Sequence, residues 1–307
     1  MAAAGRIVRE LAEDGFEEIH LDLPHGEPLR AAAARDVVRL AGRAKMSTGL
    51  GAGRSQPGAA QVRGDRFDRP AAAAEILASS GKLGDGPVSR WLNRPVSRRI
   101  TAVLLHVPGV RPIHATIATA VLAAAMFGAL LSGGEGGLLA GAILYQIASI
   151  LDGVDGEIAR ATFRVSRAGA AADTVVDAAT NILFVLGVTI NLGASGNRFA
   201  VVLAAWGFIL FLVGLAAIAW RTSRGQGPFN LDLVKHHYAR RFPGRLIPWL
   251  IDMATIVSSR DFYALLFMLL ILAGLAAAVL YVFSAAATVW ILFVMNSLRR
   301  PPDPVPA

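Results

Sequence analysis

Between residues 152 and 177 the chain reads DGVDGEIARATFRVSRAGAAADTVVD, and the aspartates of this run, Asp152, Asp155, Asp173 and Asp177, are its best candidates for chemistry. Helical residues three, four and seven apart share a face, so Asp152, Asp155 and Ala159 line one stripe, and Gly169, Asp173 and Asp177 another. Two helices joined by the basic turn between them would bring the four carboxylates together. Charged side chains placed toward a bilayer cost on the order of 2.5 to 3.5 kcal/mol each on insertion scales, so a cation must compensate. Arg160 can neutralise one charge. An all-oxygen ligand set suits Mg²⁺, Mn²⁺ or Ca²⁺, with Mg²⁺ the default where a substrate brings phosphate. Gly156, Ala159 and Gly169 keep the aspartate faces clear, leaving room for a planar base and a pyrophosphate to approach the backbone. Aspartates lying inert in interfacial water would be the simpler reading of one or two such residues, but not of four on two aligned faces.

The elements that must position these residues are membrane helices. Hydrophobic residues make up 54% of the 307-residue chain and charged residues 17%, outside the usual soluble balance. Uncharged stretches run from Pro112 to Gly134, Gly136 to Leu151, Ala178 to Asn197, Phe199 to Trp220 and Phe262 to Leu298. A crossing needs roughly 20 helical residues. The last stretch therefore holds two spans with a turn between Gly274 and Val279, and the second, being short, must continue as helix into the aspartate run. The result is six spans. Their many small residues in spans one, four, five and six read as helix-packing surface.

Charge placement sets the topology. Of 30 Lys and Arg, 17 precede Pro112, three (Arg160, Arg164, Arg167) lie between spans two and three, seven between spans four and five, and two at the C-terminus, leaving only Arg198 in a loop on the other side. The positive-inside rule puts both termini in the cytoplasm, as six spans require, and accounts for the net charge of +8 without a nucleic-acid partner. Arg164 and Arg167 are candidates for recognising an anionic acceptor, as is Arg221 at the end of span four; each is read equally well as a topology signal. The loop from Arg221 to Arg260, with Lys235, His236, His237, Arg240, Arg241 and Arg245, could hold an acceptor phosphate or lipid headgroups. With no cysteine, thiol nucleophiles and zinc-thiolate sites are excluded.

Ahead of the spans, residues 1–47 read as a small cytoplasmic helix-strand-helix segment, a remnant or a docking element, and no secretory signal is visible at their start. Residues 48–84, rich in Gly, Ala and Arg, read as a flexible, disordered linker. The GLGAGR run at 49–54 lacks the Lys-Ser/Thr ending of a phosphate loop. Residues 85–111 alternate apolar and basic positions like an amphipathic helix lying in the membrane interface, anchored by Trp91 and Arg94. Residues 112–299 form the six-span domain and 300–307 a tail.

The aspartate run fits DxxDGxxAR(x8)GxxxDxxxD at all eight fixed positions, Asp152, Asp155, Gly156, Ala159, Arg160, Gly169, Asp173 and Asp177. Chance agreement at one start point is on the order of 10⁻⁸ or less at typical residue usage. The segment resembles the signature of the CDP-alcohol phosphotransferases, and the likeness extends over roughly residues 85–299. Within it, DGPVSRWLNRPVSRRIT resembles the same region of enzymes joining an inositol-phosphate cytidylyltransferase to a di-inositol-phosphate phosphate synthase. One departure stands out. The family often has Pro-Asn-x-x-Thr at the start of span one, where this chain has Pro112, Ile113, His114, Ala115 and Thr116.

The resemblance implies an all-α integral membrane fold of six transmembrane helices behind an interfacial amphipathic helix, in the cell (inner) membrane, with the active site on the cytoplasmic face. It implies that Asp152, Asp155, Asp173 and Asp177 ligate Mg²⁺ or Mn²⁺, expected as two ions. Asp152, Gly156, Ala159, Arg160, Gly169 and Thr116 would contact CDP, and Asp177 would also be the catalytic general base. The expected reaction moves a phospho-alcohol from a CDP-alcohol, CDP-diacylglycerol in the leading reading, to an acceptor hydroxyl with release of CMP in phospholipid synthesis. CDP-inositol is the alternative donor, with a polyol phosphodiester as product. A cation-coupled transporter is the alternative from another class. Membrane lipids are expected partners, and self-association as a homodimer is left open.

Overall fold

The computed structural model describes residues 2–22, 31–49, 59–63, 86–107, 109–223, 256 and 259–298. They fall into two compact units. The first comprises Met1–Asp85, Arg90–Ala118 and Ile150–Thr174; the second comprises Gly86–Ser89, Thr119–Ser149 and Val175–Ala307.

The first unit opens with helix α1 (Ala2–Glu13), strand β1 (Glu18–Asp22) and helix α2 (Ala31–Ala41). Two further strands follow, β2 (Lys45–Gly49) and β3 (Ala59–Arg63), giving a parallel sheet of order β2-β1-β3. Ile19 and Leu21 of β1 pack with Val8 of α1 and with Val37 and Ala41 of α2 in a small buried core. The stretch read as a linker therefore contains β3, paired Ile19 to Ala60 and Leu21 to Val62. Its Gly, Ala and Arg composition hides a strand whose stability comes from a distant partner, since β1 supplies the hydrogen bonds that water would otherwise supply.

The segment ahead of the first span forms a π turn over Ser89–Asn93 and continues as α3 (Arg94–Leu104). Pro95 explains the widening: it has no N–H to give and its ring presses on the carbonyl one turn back.

Helices α4 (Pro112–Leu131), α5 (Gly134–Ala161), α6 (Arg167–Ala194), α7 (Arg198–Ser223), α8 (Arg260–Leu272) and α9 (Ala276–Leu298) complete the described chain. Five of them, all but α8, are long and apolar enough to cross a membrane. As expected, α5 runs without a break from an apolar stretch into the aspartates. The last apolar stretch divides at Gly274, whose φ of 74° is the left-handed conformation that glycine adopts at low cost. In the second unit α9 packs on α7. A side chain at Gly207 or Gly214 would run into Phe283 or Trp290, and Ser284 Oγ donates to Leu203 O at 2.6 Å. These glycines let two apolar helices approach closely where burial against lipid gives no driving force. Phe199, Val202, Trp206, Ile209 and Leu212 of α7 are exposed. So continuous an apolar surface belongs in a bilayer, and the chain is a membrane protein.

Candidate active site

The first unit holds three of the four aspartates, Asp152 and Asp155 on α5 and Asp173 on α6. Asp155 is buried, and its Oδ2 accepts a hydrogen bond from Thr116 Oγ1 at 2.8 Å. Pro112 opens α4 at a position where a missing N–H costs nothing, and Thr116 sits one turn on. Its contact docks the start of α4 onto the aspartate helix. Asp152 stands one turn before Asp155 on α5, and Asp173 lies in the second turn of α6. The donor set, all carboxylate and hydroxyl oxygen, fits a hard cation. Among the described residues no three acidic or imidazole groups stand as a ready-made cage.

Arg160 lies over the glycine of the signature: a side chain at Gly156 would meet Arg160 Nη1 at 2.9 Å. The space expected for a ligand is covered by the tip of a flexible arginine that can swing aside. Gly169 N–H donates to Ser166 Oγ at 3.0 Å, making Ser166 the N-cap of α6 and fixing where the second aspartate helix starts. Arg164 Nη1 donates to Val110 O at 3.1 Å, tying the α5–α6 turn to the segment before α4. Arg167 is exposed at the first residue of α6, and Arg221 lies in the last turn of α7.

Beneath the signature, Glu157 is fully buried, and its carboxylate collects three donors. Arg94 Nη1 lies at 2.9 Å and Ser97 Oγ at 2.7 Å from Oε1, and Thr101 Oγ1 at 2.8 Å from Oε2. Arg94 also donates to Gly153 O at 3.4 Å. The arginine expected to anchor in the interface instead joins α3 to the aspartate helix. Replacing one partner of such a pair leaves the other charge buried alone, so Glu157→Ala should lower stability by about 3 to 5 kcal/mol. Thermal unfolding in detergent measures this, and a loss under about 1 kcal/mol would show that the network does not hold α3.

In the second unit, Asp177 meets Arg260 at 2.6 Å, Nη1 to Oδ1, and accepts from Asn181 Nδ2 at 3.3 Å. Asn181 Oδ1 in turn accepts from Tyr145 Oη at 2.8 Å, and the Tyr145 ring stacks on Phe184 with centroids 3.9 Å apart. Ser149 Oγ donates to Asp261 Oδ1 at 2.9 Å. Sequence reasoning missed Arg260, Asn181 and Tyr145. Asn181 was visible as a polar residue one turn after Asp177 in an apolar run. Arg260 looked like one more charge of a basic loop. Lys235, His236, His237, Arg240, Arg241 and Arg245 of that loop lie outside the described residues.

The family model described as CDP-alcohol phosphatidyltransferase matches residues 110–290. Three relatives named bifunctional IPC transferase and DIPP synthase are similar to the chain. The Thermococcus kodakarensis protein is 33% identical over 228 residues, covering 71% of this chain and 46% of the relative. That of Aquifex aeolicus is 37% identical over 150 residues, covering 49% and 32%. The Rubrobacter xylanophilus protein is 38% identical over 157 residues, covering 50% and 34%. The chain thus spans less than half the length of these curated relatives.

Proposed function

Because the chain belongs to the CDP-alcohol phosphatidyltransferase family, and is therefore a transferase of phospho-alcohol groups from CDP-alcohols, we propose that its four signature aspartates form the metal-dependent catalytic site. The observation that carries this reading is the buried Asp155, held by Thr116 at the heart of the signature. Bound Mg²⁺ or Mn²⁺, held by Asp152, Asp155, Asp173 and Asp177 as one or two ions, would neutralise the pyrophosphate and the charge that builds up in transfer. Asp152, Gly156, Ala159, Arg160, Gly169 and Thr116 line the CDP subsite. Asp177 takes the proton of the acceptor hydroxyl. The freed oxygen bonds to the phosphorus bearing the donor alcohol, and the bond from that phosphorus to the CMP oxygen breaks. No covalent enzyme intermediate is needed. Arg260, in contact with Asp177, joins Arg164, Arg167 and Arg221 among the groups that would orient an anionic acceptor.

The donor is read as CDP-inositol, with a polyol phosphate as acceptor, on the strength of the relatives' DIPP synthase names. The second reading, CDP-diacylglycerol, is favoured by the family's description as phosphatidyltransferases. Purified protein given each donor with Mg²⁺ and a panel of alcohols separates them by which donor releases CMP. Release from neither, by folded protein, would overturn the proposal. The short α8 is taken as the fifth of six crossings, both termini as cytoplasmic, and the aspartate site as facing the cytoplasm of the cell membrane, following the positive-inside distribution.

A further inference from the structure

The α5–α6 turn, which separates Asp155 from Asp173, is built against its sequence. Arg164 N–H reaches back to Ala159 O at 2.8 Å and Phe163 N–H to Arg160 O at 3.4 Å. This is the helix-ending motif whose left-handed residue is usually glycine. Here that residue is Phe163, with φ of 52°, the only non-glycine in the left-handed region among the described residues. A bulky side chain persists there only where its surroundings hold it.

The N-terminal segment does the holding. Arg39 of α2 sets its guanidinium across the end of α5, with Nη2 donating to Thr162 O at 2.8 Å and Nη1 to Phe163 O at 3.0 Å. Such carbonyls at a helix end have no partner within the helix, and a cation there also meets the negative end of the helix dipole. Arg9 of α1 lies over the Phe163 ring, 5.1 Å from its centroid, and is held by Glu13 at 2.7 Å. Two helices of the N-terminal segment thus grip one residue, Arg39 by its backbone and Arg9 by its ring. Glycine would ease the backbone and lose the ring contact.

We propose that the N-terminal α/β segment is a clamp on the α5–α6 turn, with Arg39 a positioning residue that presets how Asp152 and Asp155 on α5 face Asp173 on α6. The inference rests on the proposed metal-dependent transfer for its effect on turnover, and on contacts alone for its effect on the turn. Without Arg39 the turn samples other conformations, and metal must assemble aspartates that the clamp had preset.

The test uses the full chain in lipid nanodiscs. In Arg39→Ala, amide hydrogen exchange at Phe163 and Arg164 should rise roughly tenfold, the effect of losing a charge-assisted pair of hydrogen bonds, while α7 is unchanged. The Mg²⁺ concentration for half-maximal CMP release should rise by a similar factor, with the maximal rate little changed. Adding Phe163→Gly to Arg39→Ala should restore most of the Mg²⁺ response, because glycine adopts the turn without a clamp. A role confined to stabilising the N-terminal segment would not be rescued in this way. If β1 also exchanges faster in Arg39→Ala, Arg39→Lys decides. It keeps the charge but not the planar fork, so faster exchange at the turn with β1 protected supports the clamp, and unchanged exchange overturns it. Unchanged exchange at the turn in Arg39→Ala, or failed rescue by Phe163→Gly, also overturns it. Absence of CMP release from the unaltered protein would count against the proposed function and leave the exchange result to decide the clamp.

Discussion

Asp177→Asn should lower CMP release by about a thousandfold at saturating donor and acceptor, within the range of roughly 10² to 10⁴ that a general base contributes. The amide matches the carboxylate in size and can still accept from Asn181, but it cannot take the acceptor's proton. It also removes one charge from the proposed metal set and from the contact with Arg260, whose side chain is only 10% exposed. Part of any loss could therefore come from a disturbed Arg260. Nucleotide binding separates the two effects. If Asp177 is the base, CDP-alcohol binding in the presence of metal weakens far less than turnover, because the change falls on the transition state. Turnover within about tenfold of the unaltered protein would remove Asp177 from the role of base.

Removing divalent metal should have the second large effect. Chelation is expected to bring CMP release to background, at least about a thousandfold down, and addition of Mg²⁺ or Mn²⁺ to restore it, since phosphoryl transfer depends almost wholly on positioning and charge neutralisation. Asp155 explains why the loss should be so complete. It is buried, and Thr116 Oγ1 donates to its carboxylate at 2.8 Å, which fixes its place in the proposed metal set. Without a cation nothing in the proposed set offsets the charge of the pyrophosphate. Thr116→Val tests the same point on a smaller scale. Losing the hydroxyl that orients Asp155 should raise the metal concentration for half-maximal release by roughly tenfold. Full turnover in the presence of chelator would show that the carboxylates act without metal.

The transfer chemistry was legible because it is written in local spacing. Asp152 and Asp155 share one helical face and Asp173 and Asp177 another whatever the rest of the chain does, and the continuous α5 and α6 bear this out. The break at Gly274 was legible for a similar reason, glycine being the one residue that turns there at low cost. Contacts made by distant residues were not legible. Arg94 read as an interfacial anchor because nothing in sequence connects it to Glu157, more than sixty residues away. The strand Ala59–Arg63 read as linker because its partner, β1, lies about forty residues earlier. Arg260 could not be told from the other basic residues of its loop until α8 set it against Asp177. Phe163 gave no signal at all: its backbone conformation is the reverse of what its side chain prefers, and it is explained only by Arg39 and Arg9.

Passage of a phospho-alcohol from a CDP-alcohol to a hydroxyl can be followed by ³¹P NMR of the reaction. With the full chain in nanodiscs, Mg²⁺, the donor and an acceptor alcohol, CMP and a new phosphodiester should appear in equal amounts as the pyrophosphate signals disappear. CMP accompanied by free phospho-alcohol would mean that water, not an acceptor held beside Asp177, is the nucleophile. Pyrophosphate signals that never decline, with protein shown to be folded, would mean that the four aspartates catalyse no such transfer.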